Sequence, residues 1–247
     1  STEVYNIMSD DYTNLEGYNA EADLGLGCGL PTQFAKIKKG DFVVDLGSGA
    51  GNDCFIARHE TGETGKVIGI DFTPKMIEKA RMNAEARGFN NVEFREGDIE
   101  HIPITSNIAD VIVSNCVLNL VPNKDGVFKE IFRVLKPGGH FSISDVVVEG
   151  SLPEGLRKDA EMYAGCVSGA IQKEVYLELI RTNRFENICI QKEKAINIPE
   201  DILKNYLNDK EINSFKNGSA GIFSLTVFAR KPILNNISAC TPESGCC

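Results

Sequence analysis

The chain reads as an α/β protein built on a doubly wound, mostly parallel sheet, and two observations predict it. Short apolar runs of β type alternate with stretches of helical periodicity from about residue 42 to 148. The run Val43-Val44-Asp45-Leu46 also passes directly into Gly47-Ser48-Gly49-Ala50-Gly51 and then into a helical stretch, the sequence of a strand, a glycine loop and a helix.

The elements follow in order. A strand over 42–46 and its loop lead into a helix reaching about residue 60. A second strand, 66–71, precedes a helix opened by Thr73-Pro74, with Thr as cap and Pro in the first turn. Residues 92–95, 109–114 and 139–148 read as further strands, and a helix over about 124–135 is stopped by Lys136-Pro137-Gly138-Gly139. Beyond Gly150 the pattern changes to helical segments near 153–164 and 173–182, then to β-type stretches near 187–198 and 222–230. This gives 1–150 as a ligand-binding α/β domain, 151–233 as a C-terminal region that covers the site and carries substrate specificity, and 234–247 as a flexible Cys-containing tail.

Composition narrows the function. With 247 residues, 42% hydrophobic and 25% charged, the chain is in the soluble globular range. The 26 basic against 35 acidic residues, a net charge of −9, argue against a nucleic-acid binder and against a surface that seeks anionic lipid. No apolar run approaches the roughly 18 residues needed to cross a bilayer, and residues 1–10 lack a secretory pattern, so a cytoplasmic protein is expected. In that compartment thiols stay reduced, and the eight cysteines (28, 54, 116, 166, 189, 240, 246 and 247) read as buried thiols or soft-ion ligands rather than as a disulfide framework.

The glycine loop after Asp45 is followed by Asp71 at the end of the next strand. Glycines let a ligand approach the backbone, and an acid ending the second strand can accept both ribose hydroxyls. Asn52 stands where a pyrophosphate-binding G-x-G-x-x-G loop would have its last glycine, and Asp45 would repel a pyrophosphate, so a cationic nucleoside ligand fits better. This pattern resembles motif I of class I S-adenosylmethionine methyltransferases, with a Rossmann-like fold. The resemblance implies ligand contacts from Asp45, Gly47 and Gly49, from Asp71 and Phe72, from Asp98 and Ile99 after the third strand, and from Asn115 after the fourth.

The segments Leu26-Gly27-Cys28-Gly29-Leu30, Val113-Ser114-Asn115-Cys116-Val117-Leu118-Asn119-Leu120-Val121-Pro122 and Tyr163-Ala164-Gly165-Cys166-Val167-Ser168-Gly169-Ala170, with Cys54 after the glycine loop, sharpen this. Together they resemble arsenite S-adenosylmethionine methyltransferases. The resemblance places As(III) ligation and catalysis on Cys28 and Cys166, in keeping with the softness of both partners. Cys54, Cys116 and Cys189 read as core. The family's third arsenic thiol falls just before the final strand, where this chain has Asn217-Gly218-Ser219-Ala220-Gly221-Ile222 and no cysteine. A third ligand would then come from small thiols, water or the pair Cys246 and Cys247.

The implied reaction is attack of the arsenic lone pair on the sulfonium methyl of S-adenosylmethionine. Glutathione or thioredoxin would serve as thiol reductant and co-substrate, with no nucleic acid and no membrane as partner. Two other readings stand beside it: a C- or O-methyltransferase of a small organic acceptor, and a non-catalytic thiol-rich soft-ion binding protein.

Overall fold

Seven strands form one sheet in the computed structural model, which describes residues 10–156, 169–205, 207–218 and 220–233. In chain order they are β1 (Phe42–Leu46), β2 (Lys66–Asp71), β3 (Val92–Glu96), β4 (Ala109–Asn115), β5 (Leu135–Glu149), β6 (Glu186–Ala195) and β7 (Gly221–Arg230), and their spatial order is 3-2-1-4-5-7-6. The pairs β1·β2, β2·β3, β1·β4 and β4·β5 are parallel, while β7 lies antiparallel to both β5 and β6. The chain winds outward from β1 in both directions. The crevice beyond the carboxyl ends of β1 and β4 is therefore the switch point where ligands bind in open α/β sheets.

Both faces of the parallel strands are covered, which explains why their sequences are apolar runs rather than alternating ones. Val43, Val67, Val111 and Val113 pack on one side with Phe55 and Cys54 of helix α2 (Asn52–Thr61) and Ile77 and Ala80 of α3 (Pro74–Ala86). Val44, Leu46, Ile68, Ile70 and Ile112 pack on the other with Phe128 of α4 (Lys124–Val134) and Tyr176 of α5 (Lys173–Thr182).

Several local details differ from the sequence reading. Strand β5 begins at Leu135, directly after the helix, because Leu135 pairs with Ala109 before a bulge shifts the register. Thr73 makes no side-chain cap; its own N–H donates to Asp71 Oδ1 at 2.8 Å, so the acid at the strand end organises the turn. The short helix α1 (Pro31–Phe34) and the helix over 209–217 (Asp209–Asn217) are not read from the sequence, the first being a single turn and the second having only Ile212 and Phe215 as large apolar residues. The latter is set by a capping box of Asn208 and Glu211. Most of the helical stretch read over 153–164, together with Cys166 and the tail from 234, lies outside the described residues. Among the described residues no helix is long and apolar enough to cross a membrane.

Candidate active site

A cleft of about 340 Å³ opens at the switch point between β1 and β4. The glycine loop forms its floor. Gly47 turns at φ +74° with its N–H on the Ile70 carbonyl at 2.7 Å, and a Cβ there would run into the Val117 side chain, so only glycine serves. Gly49 N–H donates to Asp71 Oδ2 at 3.0 Å, which ties the loop to the end of β2. Asp71 is thus fixed by two backbone N–H groups and faces the cleft with its remaining lone pairs.

The charge of the cleft is one-sided. Among the described residues its lining holds Asp23, Asp53 and Asp71 and no Lys, Arg or His, with Asp45 buried beneath the loop. Burial, and then the proximity of Asp53, push the Asp45 carboxyl well above the usual range. Asp53 is raised to about 6 by its desolvated setting, against hydrogen bonds from Tyr12, Asn115 and Thr32 that favour its charge. Such a site disfavours a pyrophosphate and favours a cation, whose arrival would restore full ionisation to these acids.

The rim is apolar. Leu24, Leu26, Phe72 and Leu120 are all exposed large hydrophobics and all line the cleft, Phe72 with 72% of its surface free. An open aromatic face beside an acid suits a base stacked next to its ribose. The Ser48 hydroxyl on the loop is buried and has no hydrogen-bond partner among the described residues, a polar atom that a bound ligand can satisfy. Asp45, Gly47, Gly49, Asp71, Phe72 and Asn115 therefore come together at or beneath one cleft. Asp98 accepts the Glu100 N–H at 2.8 Å as cap of a short turn, and neither Asp98 nor Ile99 is part of the lining.

The Gly27-Cys28-Gly29 segment is seated against this cleft by Asn115. Cys28 N–H donates to Asn115 Oδ1 at 3.1 Å, and Asn115 Nδ2 donates to the Gly29 carbonyl at 2.8 Å and to the Tyr12 hydroxyl. A Cβ at Gly27 would lie 2.5 Å from Asn115 Nδ2 and one at Gly29 2.6 Å from Ser144 Oγ, so both glycines are required by close approach. Ser224 of β7 donates to the Cys28 carbonyl from below. Cys28 itself is fully buried, in an apolar cluster with Cys116, Val146, Val148 and Ile222.

Two contributors escaped the sequence reading. Tyr12 and Asp53 complete the network: the Tyr12 hydroxyl lies 3.0 Å from both Asp53 Oδ2 and the Gly29 carbonyl, and Thr32 donates to Asp53 Oδ1 at 3.1 Å. Asp53 was legible only as a first-turn acid of α2; its reach to Tyr12 spans 41 residues and has no local signal. Cys54 points away, its thiol donating to Asp45 Oδ2 at 3.2 Å, and burial and Asp45 push it up, which holds it as an unreactive thiol. Cys189 is exposed on β6.

A glycine loop that turns on the first strand, an acid ending the second and an aromatic beside it define a class I methyltransferase fold. The chain belongs to the methyltransferase domain family, whose model matches residues 37–205. At finer grain it is 41% identical to the arsenite methyltransferase of Halobacterium salinarum over 87% of this chain and 55% of that protein. It is 37% identical to that of Aquipseudomonas alcaligenes over 76% and 56%. The arsenic(III) S-adenosylmethionine methyltransferase CrArsM of Chlamydomonas reinhardtii superposes with a TM-score of 0.72 at 30% identity, over 93% of this chain and 73% of that one. The chain spans about half the length of the curated relatives it matches. The fold class and the family resemblance read from the sequence are borne out.

Proposed function

We propose that this chain is an arsenite methyltransferase, moving a methyl group from S-adenosylmethionine to As(III) held by Cys28 and Cys166. One observation carries the reading: Asn115, which lines the donor cleft, also holds the backbone of Cys28, so a single side chain joins a cation-favouring nucleoside pocket to a buried thiol. The relatives' activity supports it. When bound, the donor supplies an electrophilic methyl on a positively charged sulfur.

The chain's own residues do the rest. Asp71 accepts the ribose hydroxyls, Phe72 covers the base, and Asp45 and Asp53 favour the positive end of the donor. Arsenite exchanges hydroxyls for the Cys28 and Cys166 thiolates, each thiol proton leaving with a hydroxyl as water. Ligation leaves the arsenic lone pair free, and it attacks the methyl in line as the carbon–sulfur bond breaks. No base is needed. Alignment is the main contribution, an effect that reaches roughly 7 to 11 kcal/mol in well-oriented systems. Glutathione or thioredoxin, as external reductant, would return any oxidised arsenic or protein thiol to its working state.

Mass spectrometry of the products formed from arsenite, S-adenosylmethionine and glutathione tests the reading. Methylated arsenic together with S-adenosylhomocysteine is expected. Donor binding without arsenic methylation, joined to full activity of Cys28→Ser on an organic acceptor, would replace it with the small-acceptor methyltransferase.

A further inference from the structure

One hydroxyl stands where the donor cleft meets the Cys28 segment. Tyr12 is buried, its ring packed with Leu30 and Ile56. Its backbone is tethered through Asp10, whose carboxylate pairs with Lys192 at 2.6 Å and Lys194 at 3.2 Å on β6. The ring is thus fixed, and the hydroxyl oxygen lies 3.0 Å from the Gly29 carbonyl and 3.0 Å from Asp53 Oδ2. A phenol has one proton to donate, so it serves one of these acceptors at a time. Asn115 Nδ2 donates to the Tyr12 oxygen and, at 2.8 Å, to the Gly29 carbonyl. The Gly29 carbonyl therefore holds two hydrogen bonds when Tyr12 turns toward it and one when Tyr12 turns to Asp53.

The charge on Asp53 decides between them, because an ionised carboxylate is much the stronger acceptor. Burial raises this carboxyl to about 6. The groups around it are Asp45 beneath the loop, Asp23 before α1 and Asp71 across the cleft, with Cys54 next on its own helix and Cys28 beside Tyr12. Thr32 donates to its other oxygen at 3.1 Å. No cation stands among the described lining residues, so positive charge has to arrive with the ligand. Burial and then Asp53 hold the Tyr12 phenol well above its ordinary range, and its own proton stays in place.

We infer that Tyr12 is a positioning residue that reports the charge of the bound donor to the Gly27-Cys28-Gly29 segment: a sulfonium in the cleft turns its proton to Asp53, and a neutral sulfur lets it return to the Gly29 carbonyl. This rests on the donor half of the reading above and is independent of the acceptor. Only the phenol C–O bond rotates. The proton that Asp53 gives up passes to water and is regained once methyl transfer turns the sulfonium into a thioether. Gly29 is held by one bond while the methyl is available and by two after it has gone, so the backbone at Cys28 is least restrained in the complex that can react.

Hydrogen exchange of the peptide Leu26–Leu30, followed by mass spectrometry at pH 6 on the full chain, tests this with S-adenosylmethionine and S-adenosylhomocysteine as the two probes. Exchange should be about fivefold faster with the sulfonium, the weight of one neutral hydrogen bond. Tyr12→Phe should abolish that difference. Calorimetry across pH 5 to 8 adds a second readout: affinity for S-adenosylmethionine should rise as pH passes about 6. Tyr12→Phe should move this rise upward by about one pH unit, since a hydrogen bond that favours the charged acid is lost. Thr32→Val removes the other such bond without touching Gly29; it should move the profile the same way and keep the exchange difference. Equal exchange in the two complexes of the unaltered chain overturns the inference, and this needs no variant to fold. So does a difference that survives Tyr12→Phe or vanishes in Thr32→Val, or an unmoved profile in folded Tyr12→Phe. Failure of the unaltered chain to bind S-adenosylmethionine would instead sink the donor reading, a result distinct from these.

Discussion

The two halves of the sheet solve different problems with different chemistry. On the side of β1 and β2, acids gather: Asp53 and Asp71 face the cleft with Asp45 below them, and no cation stands among the described lining residues. On the side of β5 and β7, Ser144 and Thr226 pair at 2.8 Å, Ser224 reaches the Cys28 carbonyl, and two cysteines lie among aliphatic side chains. A buried carboxylate there, Asp145, is sealed under the Tyr176 hydroxyl at 2.8 Å and raised to about 7 by burial. On the proposed function, the contrast sets ionisable acids where a positive sulfonium would sit and buried aliphatic side chains where a neutral, soft acceptor would sit. Asn115 is the seam between the two.

The strongest way to break this comparison is to remove the soft side alone. Cys28→Ser should abolish arsenite-dependent turnover while S-adenosylmethionine still binds, as measured by product mass spectrometry and calorimetry; retained arsenic methylation would show that the halves do not divide the work in this way. The sealed acid gives the next largest effect. Asp145 has a folded value near 7 against an unfolded value near 3.9, so its ionisation costs stability progressively as pH rises between those values and in full above them. Asp145→Asn, which can still accept from Tyr176, should stabilise the chain by about 2 to 4 kcal/mol at pH 8 and by nothing measurable at pH 4. Urea unfolding at both values checks it, and an equal effect at each pH would show that charge is not the cause.

On the charged side the expected effects are smaller. Asp71→Ala removes the ribose acceptor and also releases the Gly49 and Thr73 N–H groups, and should weaken donor binding by about 1.5 to 3 kcal/mol. Calorimetry showing an unchanged dissociation constant in a folded variant would take Asp71 out of the site. Phe72→Ala should weaken the donor by only about 0.5 to 1.5 kcal/mol, the range of an aromatic stacking contact. Because Phe72 is largely exposed, thermal unfolding of the free chain should not move. A loss of stability instead would make it a structural residue.

Much of this was legible in the sequence where the cause is local. The parallel strands and the loop between Asp45 and Asn52 declare themselves because backbone sterics at Gly47 and burial of both sheet faces leave direct marks on residue type. The G-C-G segment is legible for the same reason, its glycines being forced by Asn115 and Ser144. What could not be read depends on pairings distant in sequence: the entry of β7 between β5 and β6, the reach of Tyr12 to Asp53, and the left-handed turn that brings Cys116 from the core onto the cleft wall. An isolated cysteine after an apolar strand is ordinarily buried filler, and nothing in its neighbours distinguishes it.

The last strand in the described residues is not at the edge of the sheet. Strand β7 separates β5 from β6, and its Ser224 holds the Cys28 carbonyl across 196 positions of chain. The glycine loop and its acids can order as soon as β1, β2 and β4 have been made, whereas the pocket around Cys28 must wait for β7, the slow closure expected of distant contacts. Nascent chains would therefore acquire the glycine-loop half first and leave Cys28 exposed until synthesis reaches β7.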